Sequence, residues 1–343
     1  MVWVKKCSLL YILLLSGLYS YGQNHMYSQF FNSPVYLNPA LNGQFEGDFR
    51  VNLIYRNQYT SITPGHLSYF TASFDYSIPR FGGGIGLMFT QSSEGSAYLK
   101  KNSIAGIYSY SVGSEDYVLS FGLQAGVTNR SIDWSKLVFG DQIDALSGYD
   151  PNSVSSAELP AYNNKFYFDS GLGINLVVGN FMIGSALQHI NKPNESFTGA
   201  PAPLPMRTTG HISYKLDLSP ELDDNDADKS SLIPSVVFYK QTKAQSMAAG
   251  VEYKRRDISA GLWYRSNTDG PSAIVLSLVF DLFVDRSSGE KFRMGVSHDI
   301  PSSKLNYSNT SGTTEGSLSY QTTNPNRDSY QKFEGARRCY DFY

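Results

Sequence analysis

The chain has 343 residues, with 28 lysines and arginines against 30 aspartates and glutamates, and a formal net charge of −2. This balance gives no basis for nucleic-acid binding, which depends on clustered positive charge. Of the two cysteines only Cys339 follows the leader described next, which excludes an intrachain disulfide and a small disulfide-stapled fold. No segment after the leader approaches the roughly 18 apolar residues of a transmembrane helix, which leaves a secreted β-rich protein or an outer-membrane β-barrel.

The amino terminus has the pattern of a secretory signal peptide. Lys5 and Lys6 precede an apolar run from Leu9 to Leu18, and Ser20-Tyr21-Gly22 supplies small residues before a cleavage site at Gln23. We therefore predict a signal peptide over 1–22 and an unlipidated mature terminus. The alternative is a buried amino-terminal helix.

The next segment, 23–47, is rich in aromatic and turn-forming residues. Its aromatic side chains cannot all face water without cost, and Asn38 before Pro39 favours an extended or turn conformation. We expect this segment to pack as a plug inside or beneath a barrel lumen. The alternative is a loose periplasmic lead-in.

From Asp48 onward, polar and apolar residues alternate. Phe49, Val51, Leu53 and Tyr55 fall on one face and Arg50, Asn52 and Arg56 on the other, interrupted only by Ile54. Similar patterns predict about fourteen strands within 48–320, each near the 9–11 residues that a tilted strand needs to cross a membrane. They cover 48–58, 70–78, 82–91, 102–111, 117–128, 166–176, 181–189, 206–218, 234–240, 246–253, 258–265, 272–280, 292–297 and 315–320.

A soluble β-sandwich also alternates, but two features favour the barrel. The apolar face repeatedly ends in Tyr or Phe, as in the aromatic girdles of outer-membrane barrels. Short connections such as 179–180 and 254–257 alternate with long ones such as 131–165 and 190–205. An even strand number places both termini in the periplasm, including a tail over 321–343, and the long loops outside.

The predicted polar face carries charges of both signs. We expect Arg50, Arg56, Arg207, His211 and Lys215 on the lumen wall, as a charged conduit or as a salt-bridge network that seals a small barrel. Their candidate partners are Asp48, Asp75, Asp169 and Asp217.

The longest predicted outer loop, 131–165, is the candidate surface for binding a partner. The residues that we expect to make contacts are Trp134, Phe139, Asp141, Gln142 and Tyr149.

Two stretches, SQFFNSPVYLNPALNG and GDFRVNLIYRNQ, resemble the opening of the PorP/SprF family of type IX secretion-associated outer-membrane proteins of the Bacteroidetes. The matching positions include Gln29, Phe30, Asn32, Pro34, Asn38, Pro39, Ala40 and Gly43, followed by Asp48, Arg50, Arg56 and Gln58. Tyr59 stands where the family usually has Trp. Phe139-Gly140-Asp141-Gln142 resembles a second landmark of the family, and Arg338-Cys339-Tyr340 resembles its Arg-Cys-Pro close without the proline.

The resemblance implies an outer-membrane component that assists type IX secretion or surface anchoring of a cargo protein, such as a large adhesin with a C-terminal sorting domain. It also implies contact with periplasmic machinery and, in some members, a link to gliding motility. The alternative is a plugged transport barrel of the fatty-acid channel type, which carries a small apolar substrate.

The sequence carries no signature of catalysis. It lacks both a Gly-x-Ser-x-Gly elbow and a His-Glu-x-x-His zinc motif, and His211 is a lone histidine on the predicted wall. We therefore predict a protein that is not an enzyme and has no cofactor or metal.

Overall fold

The computed structural model describes residues 24–61, 67–78, 82–95, 99–144, 146–150, 152–157, 162–218, 230–268, 272–285, 289–302, 307–322 and 339–342. The predicted signal peptide over 1–22 lies outside the described residues. Among the residues that the structure describes, no helix has the length and apolar character needed to cross a membrane.

The predicted all-β barrel is confirmed: fourteen antiparallel strands form one closed sheet. Each strand pairs with its neighbours in sequence, and the first strand also pairs with the last, with Phe49 opposite Thr322 and Gln58 opposite Thr313. The strands are β1 Phe49–Gln58, β2 Leu67–Ile78, β3 Gly83–Glu94, β4 Leu99–Gly113, β5 Tyr117–Ser131, β6 Asn164–Val178, β7 Phe181–Gln188, β8 Arg207–Tyr214, β9 Ser230–Gln241, β10 Ala244–Arg255, β11 Ile258–Asn267, β12 Ala273–Asp285, β13 Glu290–Pro301 and β14 Thr313–Thr322.

The alternation in each strand separates an apolar outer face from a polar bore. In β1 the outward Val51 and Tyr55 are 38% and 48% exposed, whereas Arg50 and Arg56 are buried. The exposed apolar side chains belong against lipid, because a barrel in the outer membrane turns its apolar positions outward. Ile54 breaks the pattern because it faces inward, where it is buried against the amino-terminal segment.

The two rims of the barrel differ in their connections. At the rim where β1 begins and β14 ends, 179–180 and 256–257 are tight turns. At the opposite rim lie the longest connections, 132–163 and 189–206, which outer-membrane barrels place outside the cell. The alternation is imperfect, because 242–243 is a tight turn at the outer rim and 215–229 is long at the periplasmic rim.

Short helical turns lie in the outer connections. Loop 132–163 contains two 3₁₀ turns and a small ladder, and a single α-helical turn precedes β14. The turns are Trp134–Lys136, Gly140–Gln142 and Tyr307–Thr310, and the ladder pairs Ile143–Asp144 with Gly148–Tyr149. A two-residue strand, Leu216–Asp217, extends the sheet beyond β8.

The amino-terminal segment fills the bore as a chain of short helical turns, Phe30–Asn32, Pro34–Leu37 and Pro39–Leu41. Proline begins the second and third turns, where its missing N–H costs no helical hydrogen bond. The Asn38 side chain caps the third turn by accepting from the Ala40 N–H. We call residues 24–48 the plug segment.

The carboxy terminus also reaches the bore. We expected residues 321–343 to form a periplasmic tail, but Gln321 and Thr322 belong to β14. The last described turn, Cys339–Phe342, buries Cys339 and Phe342 in an apolar cluster with the plug segment.

Candidate functional site: the plugged bore and its outer loops

The strongest polar anchor of the plug segment is the buried carboxylate of Glu315 on β14. It accepts the backbone N–H groups of Ser28 and Gln29 at 2.8 and 2.9 Å, and it also pairs with the Arg56 guanidinium on β1. Charge-assisted hydrogen bonds of this kind are about twice as strong as neutral ones. Glu315 therefore joins the entry of the plug segment to the seam between the first and last strands.

A second carboxylate extends this network. Asp299 on β13 accepts the Ser28 hydroxyl at 2.9 Å and the Arg265 guanidinium at 2.8 Å, and lies 3.3 Å from the Arg56 guanidinium. The buried acids Glu315 and Asp299 thus face the buried Arg56 and the partly buried Arg265, so opposite charges pair at a place where an unpaired charge would cost free energy.

Amide side chains fasten the rest of the plug segment to the wall. Asn32 donates to Gln29 Oε1 and to the Ser317 hydroxyl, both at 2.9 Å. Asn38 donates to the Ile174 carbonyl at 2.9 Å, and Gln44 donates to the Ser111 hydroxyl at 3.0 Å. The polar residues of the family-like motif therefore serve as anchors inside the bore.

Glycines on the wall make room for the plug segment. A Cβ at Gly122 would lie 2.2 Å from the Ala40 nitrogen, and one at Gly173 would lie 2.0 Å from the Asn38 Oδ1. Gly43 has φ +67°, and a Cβ there would lie 2.8 Å from the Gly84 Cα. The backbones of plug and wall thus approach so closely that side chains are excluded at these positions.

Apolar side chains of the plug segment give the bore a hydrophobic core. The Phe30 and Phe31 rings lie 5.1 and 6.1 Å from the Trp263 ring on β11. Leu37 and Leu41 join the same cluster, together with Phe342 from the carboxy-terminal turn. Each such side chain contributes about 1.5–3 kcal/mol on burial, so the plug segment is bound by apolar as well as polar contacts.

Among the five predicted lumen-wall residues, Arg50, Arg56, Arg207 and His211 are buried in the bore. Arg50 pairs with Asp75, and Arg207 stacks over the rings of Tyr36 and Tyr239. The nitrogen Nε2 of His211 lies 3.3 Å from the Asn38 Nδ2.

Lys215 differs from the other four predicted wall residues. It lies between β8 and the short strand that follows, at the periplasmic rim, where its ammonium is 3.7 Å from Asp217. Asp169, another candidate partner, pairs with His189 rather than with an arginine.

The residues predicted in loop 132–163 divide into two groups. Asp141 accepts from the Ser155 and Ser156 hydroxyls, and these bonds hold the pKa of its carboxyl below the ordinary value. Gln142 accepts from the Phe139 N–H and donates to the Ser153 carbonyl at 2.7 Å. The Phe139-Gly140-Asp141-Gln142 motif therefore holds this loop in shape.

The aromatic residues of the loop have other surroundings. Tyr149 is 50% exposed. The Trp134 ring meets the Phe197 ring edge to face at 6.2 Å, which joins loop 132–163 to loop 189–206. Trp134, Phe139 and Tyr149 thus remain as candidate contact residues of this loop.

Sequence reasoning missed the acids that organise the bore and its mouth. Glu315 and Asp299 occupy inward positions of their strands, so alternation alone could have flagged them. At the outer mouth of the bore, Glu195 of the loop 189–206 pairs with Lys101 and lies near Arg130, and its position in a loop carried no such signal. Within the described parts of the chain, no three His, Cys, Asp or Glu side chains cluster as a metal site.

A closed fourteen-stranded barrel with apolar side chains turned outward defines an integral β-barrel protein of the outer membrane. The family model described as "Type IX secretion system membrane protein PorP/SprF" matches residues 19–320, and the chain belongs to that family. This confirms the resemblance found in the opening motif and the outer-membrane location.

No curated protein matches the chain. Similar solved structures include the Ralstonia pickettii toluene transporter TbuX, at 14% identity over 85% of this chain and 93% of that one, with a TM-score of 0.47. A deletion mutant of the monoaromatic hydrocarbon channel TodX is 11% identical over 84% of this chain and 92% of that one, with a TM-score of 0.42. The Acinetobacter baumannii outer membrane protein Omp33 is 8% identical over 81% of this chain and 100% of that one, with a TM-score of 0.37.

Proposed function

We propose that the protein is a non-enzymatic component of type IX secretion that holds a cargo protein, such as a large adhesin, at the outer surface. The observation that supports this role most directly is the filled bore. The plug segment is buried over 27–33 and 35–45 and is bound by charged, amide and apolar contacts, so the barrel offers surfaces rather than an open conduit.

On the outer side, the candidate surface is loop 132–163. Trp134 and Phe139 are partly exposed aromatic side chains on a loop that its own hydrogen bonds hold in shape. Rigid aromatic residues are the usual anchors of protein interfaces, because they bury large areas at a small cost in conformational entropy. On the periplasmic side, the short turns would face the secretion machinery.

The alternative is a transport barrel for a small apolar substrate. Such a protein needs an apolar path through the bore or the wall. Here the space beside the plug segment is lined largely by hydroxyl, amide and charged side chains, and the described registers pair the strands continuously apart from a shift at Phe283 and Asp285. Both observations favour the anchoring role.

Deletion of the gene and antibody labelling of intact cells test the proposal. We expect the cognate cargo to disappear from the surface, and unchanged display in a strain without paralogues would contradict it. Complementation with Trp134→Ala/Phe139→Ala tests the contact loop, and we expect at least about a tenfold loss of cargo binding from two anchors. Tyr307→Ala, an exposed aromatic on another outer loop, is the matched control.

A further inference from the structure

Loop 189–206 folds inward over the outer end of the bore. Its residues 193–204, which we call the lid hairpin, pair with each other: the Glu195 N–H donates to the Ala202 carbonyl at 3.0 Å, and the Leu204 N–H donates to the Pro193 carbonyl at 2.8 Å. Phe197 and Leu204 are buried despite lying in an outer loop. The lid hairpin is thus a preformed unit docked on the wall.

The docking contact is a carboxylate held by three donors. Glu195 lies 2.9 Å from the Lys101 ammonium and 3.7 Å from the Arg130 guanidinium, and accepts the Tyr167 hydroxyl at 2.5 Å. These donors come from three neighbouring strands, β4, β5 and β6. Burial alone would raise the pKa of Glu195, but Lys101, Tyr167 and Arg130 outweigh it and hold the pKa below its ordinary value.

The wall beneath Glu195 is built for an anion. Lys101 and Arg130 are directly opposite each other in the ladder between β4 and β5. Like charges in that position repel and destabilise a sheet unless an anion lies between them. Glu94 at the end of β3 also faces both cations, and Glu195 forms the ion pairs with them. The two cations therefore form a receptor that the fold keeps in place and that the carboxylate of Glu195 fills.

The same receptor contacts the main chain and a ring. Arg130 donates to the Glu195 carbonyl at 2.9 Å, and its guanidinium lies 5.0 Å from the centre of the Phe197 ring. Arg130 thereby contacts a carboxylate, the backbone carbonyl of the same residue and an aromatic side chain two residues further along the chain. A fatty acid or another simple carboxylate offers only the first of these three groups.

Space for a ligand adjoins the receptor. A cavity of about 580 Å³ lies between the plug segment and the lid hairpin, and Lys101, Arg130 and Glu195 line it together with Thr128 and Gln188. Two buried oxygen atoms of lining residues, Gln124 Oε1 and Asp169 Oδ1, have no hydrogen-bond partner among the described residues. These two oxygen atoms can accept the backbone N–H groups of a bound peptide.

We propose that Lys101, Arg130 and Tyr167 form a binding site for an acidic peptide of the type Glu-x-aromatic, which Glu195 of the lid hairpin occupies until a partner's segment replaces it. Replacement also releases Phe197, whose carbonyl accepts the Tyr162 N–H at 3.2 Å and whose ring meets Trp134. Binding in the bore is thereby linked to the contact loop 132–163. In naming the chemistry of the partner, this inference rests on the proposed function.

The test uses the purified full-length mature protein in detergent and a fluorescent, blocked pentapeptide with the lid sequence Asn-Glu-Ser-Phe-Thr. In the wild type, Glu195 competes with the peptide for the site at a millimolar effective concentration, because it belongs to the same chain. The Glu195→Gln variant lacks this competitor and should bind the peptide at least about tenfold more tightly than the wild type. Adding Lys101→Gln to that variant should abolish the gain. A peptide with Gln in place of Glu should not bind, and octanoate should not compete.

Equal affinity of wild type and Glu195→Gln, or equal binding of the Gln peptide, overturns the proposal. Competition by octanoate as strong as by the peptide overturns the assignment to a peptide. Heat-modifiable migration on gels shows that each variant is folded. In the wild type, a millimolar concentration of peptide should change the Trp134 fluorescence, because binding releases Phe197 from the Trp134 ring. If the peptide does not bind but gene deletion removes the cargo from the cell surface, only this inference is rejected. If the peptide binds but gene deletion leaves the cargo on the surface, only the proposed function is rejected.

Discussion

At the scale of single residues, the plugged bore depends on buried charges that are satisfied from both sides. Glu315 shows the principle most clearly, because its two oxygens serve the Ser28 and Gln29 amides as well as Arg56. Removing Glu315 leaves the Ser28 and Gln29 amides without this acceptor and leaves Arg56 with Asp299 as its remaining carboxylate, which destabilises the buried network.

We therefore expect Glu315→Gln to loosen the plug segment. The substitution leaves the Arg56 charge under-compensated, and breaking a buried pair in this way costs about 3–5 kcal/mol. Hydrogen–deuterium exchange of residues 24–48, compared with exchange in the strands, measures the loss. Glu115→Gln, in an exposed turn, is the control, and equal protection in both variants would contradict the assigned role.

At the scale of elements, two short segments gain their conformation from the barrel rather than from their own propensity. The turn Pro39–Leu41 has three residues, too few for a stable isolated helix. It lies against β5 and β6, where Gly122 and Gly173 let the backbones come close. The lid hairpin likewise depends on three strands of the wall for its docking.

Gly122→Ala tests the close approach of plug and wall. Its Cβ would meet the Pro39 carbonyl and the Ala40 nitrogen, and overpacking of this kind costs about 1–3 kcal/mol. We expect faster exchange of the plug amides in an intact barrel. Gly210→Ala is the matched control, because a Cβ on that strand glycine meets no atom within 4 Å. Similar exchange in the two variants would count against the steric argument.

The lid hairpin should open in acid. Its anchor Glu195 has a pKa below the ordinary 4.5, so the free energy from its ionised form is fully present above that value. This stabilisation is lost as the pH falls through the lowered pKa. Trp134 fluorescence in a Trp263→Phe background, titrated from pH 7 to pH 3, reports the opening. Because Glu94 faces the same two cations, the comparison is made in a Glu94→Gln background. There Glu195→Gln should remove the transition, and an identical transition would assign the change to another group.

At the scale of the whole molecule, the barrel is a wall around its own amino terminus. Strand parity predicted a periplasmic amino terminus, but Asn24 lies at the outer end of the bore, where its N–H donates to Gln241 and its side chain lies 2.5 Å from the His189 ring nitrogen. From there the plug segment descends to Asp48, whose N–H meets the Thr322 carbonyl at the periplasmic rim. The segment therefore spans the bore from one end to the other.

A barrel filled in this way should conduct ions poorly. We expect the wild type to be nearly closed in planar lipid bilayers and a deletion of 24–42 to open a channel, because the deletion removes most of the plug segment from the bore. Heat-modifiable migration would show that the shortened protein still folds. A wild type with the conductance of an open pore, or a folded deletion variant that stays closed, would contradict the plug.

The strands and their faces were predictable because alternation is a local signal. Arg50 and Arg56 could be placed inside and Val51 and Tyr55 outside from ten residues of sequence. Even Ile54, which breaks the pattern, marks a place where the bore is apolar because the plug segment packs there. The pairing of Glu195 with Lys101 was not predictable, since no periodicity governs the path of a loop.

The sequence by itself determined that the chain is an outer-membrane barrel, which wall positions face lipid, and which family motif precedes the first strand. Only the tertiary structure decided where the motif lies and which groups bind its polar atoms, because Ser28 contacts Glu315 across a separation of 287 residues. The physical reason is that apolar and polar residues alternate along each membrane strand, because one face of the strand meets lipid and the other meets the polar bore. The conformation of the plug segment depends instead on the shape and charge of the barrel wall, which forms only when the barrel closes.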